Sequence, residues 1–148
     1  MASAYVSVAD VRQALGAGQL IKLSNDAPGA DSPDEAVIDT AIETASQMVD
    51  GYLRARHTLP LNPIPTIVRE LTRSLVCYAL YARRMASGVP ETVKDQRDHA
   101  IKALEHIQSG RITLGDAATH QAVPEAGAMR VKAPARQFGE GVLAQWRM

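Results

Sequence analysis

The chain has one cysteine, one phenylalanine and one tryptophan in 148 residues, and no net charge, since 16 Lys and Arg balance 16 Asp and Glu. Each scarcity excludes something. A single cysteine rules out a disulfide framework within one chain, and paired CxxC metal knuckles with it. Zero net charge argues against a protein that coats DNA, which carries a basic surplus. The longest unbroken apolar run is eight residues, Leu75 to Ala82, against the roughly 20 needed to cross a bilayer as a helix. The opening residues have neither the basic start nor the long apolar stretch of a secretory signal. The hydrophobic content of 46% is in turn too high for a disordered polyanion. These features imply a soluble protein, made in the cytosol and bound to no membrane, with a single core.

The balance of charge is not uniform. Residues 1–109 carry 11 basic and 13 acidic groups, whereas residues 110–148 carry 5 and 3. The latter stretch also holds five of the ten glycines, and no sustained period until its last dozen residues. Yet it contains Phe138 and Trp146, the two largest apolar surfaces in the chain. The division implied is a helical domain over 1–114 and an extended, irregular arm over 115–148. Two readings of the arm stay open: it orders against a partner, or it folds back and packs its aromatics on its own core.

The first part reads as helices. Ser7 precedes a stretch with Val8, Val11 and Leu15 on one face, closed by Gly16, and Gln19 to Leu23 adds a turn or two. The segment Asn25 to Asp31 has the composition of a loop. Ser32-Pro-Asp-Glu35 supplies a capping serine, a proline at the first helical position and a glutamate at the third. From there Ile38, Ala41, Ile42, Ala45, Met48, Val49, Tyr52 and Leu53 keep helical spacing over about two dozen residues, a rod of roughly 35 Å. The prolines from Pro60 to Pro65 break the pattern. A second long helix from Pro65 to about Ala86 presents Val68, Leu71, Leu75, Tyr78, Ala79 and Ala82 to the core. A further helix from Glu91 to Gln108 turns Val93, Ala100, Ala103, Leu104 and Ile107 inward, with Gly110 as its C-terminal cap. No segment alternates with period two. The fold class is all-α, a small bundle of two long and two or three shorter helices with an irregular C-terminal arm.

Candidates for chemistry are few. His99 and His106 share a helix face but are separated by roughly 10 Å of rise, too far to hold one zinc ion at ~2.0–2.2 Å. The acidic cluster around Asp26, Asp31, Asp34, Glu35 and Asp39 fails the calcium-loop template, with Pro28 at its third position and Ala30 at its fifth. Carboxylates gather there because a helix N-terminus stabilises them. Cys77 borders an apolar stripe and reads as a small buried hydrophobe rather than a nucleophile. No nucleophile elbow, phosphate loop or dinucleotide fingerprint occurs, so no enzyme, cofactor or metal is expected. Arg54, Arg56, Arg69, Arg73, Arg83 and Arg84 could form one basic surface only if the two long helices pack antiparallel with their ends aligned.

The run Asp50-Gly-Tyr-Leu-Arg-Ala-Arg-His-Thr-Leu-Pro-Leu61, followed by Pro63, Pro65, Leu71 and Tyr78-Ala-Leu-Tyr81, resembles the Mu-like prophage family of head–tail connector proteins, also called adaptor or head-completion proteins. The likeness extends along the chain. Leu20 to Leu23 matches a Leu-Ile-x-Leu element, Arg97 to Leu104 a later helix, and Ser109 to Gly115 the turn after it. Arg136, Phe138, Leu143 and Trp146 match the tail. Its departures are His57, where tyrosine is commoner, and Pro28 interrupting the acidic loop. The resemblance implies a structural neck protein of the virion without catalysis, made in the host bacterial cytoplasm. It implies a homo-oligomeric ring, commonly of twelve, beneath the portal protein, extending the DNA channel and offering a surface to a stopper or tail-completion protein. It further implies that Asp50, Gly51, Tyr52, Leu53, Arg56, Leu59 and Pro60 are mainly structural. Arg136, Phe138, Leu143 and Trp146 would dock on the portal or a neighbouring subunit, and arginines along a channel would touch phosphates without reading sequence. The rival readings are a helical DNA-binding phage protein, either a regulator or a packaging subunit, and an enzyme with an unrecognised site.

Overall fold

A computed structural model of the chain describes residues 4–84 and 88–114. Among them are five helices and no strand: α1 (Val8–Leu15), α2 (Ala17–Ser24), α3 (Glu35–Leu53), α4 (Thr66–Arg83) and α5 (Glu91–Ser109). The all-α class follows the sequence reading, although α5, at 19 residues, equals α3 in length. The arm and its residues Arg136, Phe138, Leu143 and Trp146 lie outside the described residues.

Capping chemistry sets the boundaries. Ser7 and Asp10 form a reciprocal capping box at the start of α1, and Gly16, at φ 77°, both ends α1 and begins α2. α3 starts two residues later than its sequence signal implies. Asp34, not Ser32, is the cap, accepting from the main-chain N–H of Ala36 at 3.0 Å and of Val37 at 3.4 Å. A buried hydroxyl supports this choice: Ser24 Oγ accepts from the Asp34 N–H at 3.1 Å and donates to the Leu20 carbonyl at 2.8 Å. Gly110 closes α5 in the left-handed conformation at φ 78°, where glycine carries no Cβ penalty.

α4 is the central element, packed against each of the other four helices. Its buried set is therefore broader than, and rotated from, the stripe expected of a helix with one covered face. Val68, Thr72, Val76 and Leu80 form the deepest row, with Leu75 and Cys77 beside them, while Leu71, Tyr78, Ala79 and Ala82 are only half-buried. Thr72 satisfies its buried hydroxyl on the Val68 carbonyl at 2.8 Å. Met48 is a second correction. It keeps helical spacing with the core residues of α3 but is 46% exposed, because the buried face of α3 is centred on Ile38, Ile42, Val49 and Leu53. Long-range bonds give the helix directions. Arg56, just after α3, reaches the end of α5, and Arg83, at the end of α4, reaches the end of α2. Thus α3 and α5 run parallel and touch one another, and α4 runs antiparallel against both.

Candidate functional site

The run from Asp50 to Pro60 lies where α3 and α5 finish, and most of it forms a joint. Asp50 Oδ1 accepts a hydrogen bond from the hydroxyl of Tyr5, whose ring is buried in the core. Leu53 is fully buried and Tyr52 partly so, and Leu59 packs against the same core. Leu59-Pro60 is a cis peptide, and Pro60 itself is exposed. Arg56 donates from Nε to the Gln108 carbonyl at 2.9 Å and from Nη2 to the Ser109 carbonyl at 3.3 Å. It thereby satisfies carbonyls that the end of α5 leaves without intrahelical partners. A Cβ placed on Gly110 would meet the Arg56 guanidinium, which as the end of a flexible side chain can move aside at the cost of its carbonyl bonds; the left-handed backbone is what calls for glycine there. Gly51 differs: a Cβ there would meet nothing within 4 Å.

A second joint closes the opposite end. Asp26 receives Arg83 through both carboxylate oxygens, and Arg84 Nη2 at 2.9 Å. Arg83 also donates to the Leu23 carbonyl at 3.1 Å, and Arg84 to the Asn25 carbonyl at 2.6 Å. The Arg83 hydrogen bond holds the Asp26 carboxyl below its ordinary pKa, with the charges of Arg83 and Arg84 adding to it. Sequence reasoning missed this clasp, because its partners are 57 and 58 residues apart and no periodicity reports such a distance.

These joints dispose of most candidates for chemistry. α3 and α4 are antiparallel, but Arg83 and Arg84, at the finish of α4, are held on Asp26, away from Arg54, Arg56 and Arg69 at the other end and Arg73 midway along α4, so the six arginines do not form one surface. Arg73 pairs with Glu70 one turn away, and Arg69 and Arg73 both act on Asp10. The Asp10 carboxyl is held below its usual value chiefly by hydrogen bonds from the Ser7 main chain and hydroxyl. Cys77 is buried, and desolvation pushes its thiol pKa up, away from the thiolate a nucleophile needs. His99 and His106 are both exposed on α5. Among the described residues no group of three or more His, Cys, Asp or Glu side chains converges as a metal site, and no helix is long and apolar enough to cross a membrane.

The fold and these joints define a small all-α bundle whose best-placed polar groups hold its own loops and helix ends. The chain belongs to the family described as Bacteriophage Mu, Gp36, a sequence model of which matches residues 5–133. It is 35% identical over 88 residues to the Mu-like prophage FluMu protein gp36 of Haemophilus influenzae, covering 60% of each chain. It is 29% identical over 93 residues to Gene product J of Escherichia phage Mu, covering 63% of each. The match thus spans less than two thirds of either relative. The chain is a Mu-like phage protein.

Proposed function

We propose that this chain is a structural neck protein of a Mu-like phage, assembling as a ring under the portal and joining the head to the tail-side neck proteins. What carries the reading is the family match over residues 5–133, together with the order of landmarks from Leu20 through the Asp50–Pro60 run to Ser109. The internal joints fit a scaffold role. Tyr5, Asp50, Arg56, Asp26, Arg83 and Arg84 are engaged in fixing loops, as a subunit that must keep its shape under load requires. On this reading the protein is not an enzyme, resides in the virion, and meets channel DNA only through phosphate contacts. The C-terminal arm supplies the docking element through Arg136, Phe138, Leu143 and Trp146.

Ordering such an arm costs on the order of 1–2 kcal/mol of backbone freedom per residue, so its aromatics must bury substantial area on a partner. Truncation after Gly115 tests this directly. Portal-bearing heads are expected to retain the full chain and to release the shortened one. Equal retention of both would remove the arm from the docking role. A protein that ignores portal-bearing heads yet binds duplex DNA with a steep salt dependence would instead be the DNA-binding protein.

A further inference from the structure

The charges that the fold leaves unmatched are not spread evenly over its surface. Arg73, Arg83, Arg84, Lys94 and Arg97 each sit in an ion pair. Arg54, Arg69 and Arg111 are exposed, and among the described residues their side chains form no ion pair and donate no hydrogen bond. All three lie at the end of the bundle where α3 and α5 finish and α4 starts. Arg54 caps α3, Arg69 is in the first turn of α4, and Arg111 follows Gly110. Arg56 stands among them with its guanidinium on neutral carbonyls, so its charge is uncompensated too. The acids nearest are occupied, Asp50 by the Tyr5 hydroxyl and Asp10 by Ser7. Glu105 is left as the one unpaired carboxylate near this end among the described residues. The opposite end is the reverse: Asp31, Asp34, Glu35 and Asp39 are exposed around the start of α3, with Lys22 as the unpaired cation there.

Helix energetics account for only part of this pattern. A helix C-terminus favours cations, which suits Arg54 and Arg111, but the first turn of α4 disfavours the charge of Arg69, and no acidic residue in that turn offsets it. The four guanidiniums rise from three separate elements and share no partner, an arrangement for a ligand that repeats its negative charge rather than for one small anion. All four are arginines, whose planar fork matches a phosphate. Ile67, at 40% exposure, is the one large apolar side chain in the open beside them, whereas a protein-docking surface centres on aromatic and aliphatic anchors. The helices also present their ends here, not a face that could lie in a groove and read bases. We propose that this arginine end is the surface that meets a nucleic-acid backbone, holding phosphates without regard to sequence, with the acidic end turned away. The inference rests on the neck reading, which calls for phosphate contacts, and assigns them to named residues.

Fluorescence anisotropy of a labelled short duplex, titrated with the full chain in rising salt at a pH where histidine is neutral, reads it out. Contacts to three or four phosphates contribute about −3 to the slope of log affinity against log salt. Arg54→Gln, Arg69→Gln and Arg111→Gln are each expected to lower that slope by about one and to weaken binding to every sequence alike. Lys22→Gln, at the opposite end, should change neither. The cations of residues 115–148 are common to all variants, and circular dichroism will report retained helix. No binding at low salt, a slope unmoved by the three substitutions, or an equal loss with Lys22→Gln would overturn the proposal. So would a labelled polyglutamate bound more tightly than the duplex through the same arginines, the result expected of a site for an acidic protein. Portal binding is scored separately. A chain that joins portal-bearing heads while its DNA affinity ignores these arginines defeats this inference alone. One that binds DNA through them but ignores portals defeats the neck reading alone.

Discussion

At the end of the bundle where α3 and α5 finish, Tyr5 and Leu53 are buried, and Arg56 is matched to main-chain carbonyls. At the opposite end, Asp26 meets Arg83 and Arg84 with its carboxylate 66% exposed. Both ends pin a loop to a helix terminus, but by different means. The first uses apolar burial and hydrogen bonds to fixed acceptors, which salt screens little. The second uses exposed ion pairs, whose contribution is small and screened. The first should therefore dominate stability, and the second should govern how the loop between α2 and α3 responds to conditions.

The sharpest way to break this contrast is at Leu53. Leu53→Ala removes a fully buried side chain and should destabilise the bundle by about 2–5 kcal/mol, measured by urea unfolding. A loss no larger than that of an exposed-site control would show that the first end is not the anchor. Next comes Gly110→Ala, which forces a left-handed residue against Arg56. The expected cost is about 1–2 kcal/mol from the backbone. In an Arg56→Ala background the extra steric part should vanish, so the two changes should not add. Tyr5→Phe tests the bond to Asp50 and should cost roughly 1 kcal/mol. The smallest effect belongs to Asp26→Asn. Folding lowers the Asp26 pKa below its ordinary 3.8, so its stabilising contribution is complete above that value and fades as pH falls below it. The variant should lose that acid limb and part of the salt dependence of Tm while barely changing stability in urea. A salt response equal to wild type would show the clasp to be idle.

The sequence disclosed most of the frame where its signals are local. Ser7, Gly16 and Gly110 mark helix ends by side-chain or backbone chemistry confined to a few residues, and each stands where that chemistry placed it. Ser32 was a false start, since Asp34 could cap equally well and the buried Ser24 hydroxyl decided between them. Periodicity set the faces of α3 and α5 but misjudged Met48 and the edges of α4. Spacing alone does not report that α4 is covered from several sides. The joints were legible only in part. Arg56 stood out as a motif residue, but its partners lie 52 and 53 residues away. The Asp26 clasp left no sequence trace beyond two adjacent arginines and an acidic loop.

The central claim, a subunit that works as a ring on a portal, is tested most directly by mass and shape. Light scattering and negative-stain imaging of the purified chain, alone and mixed with portal assemblies, are the measurement. The account predicts that the free chain, smaller than a ring, becomes a closed ring seated on the portal. A mass unchanged by the portal but shifted by duplex DNA would contradict it.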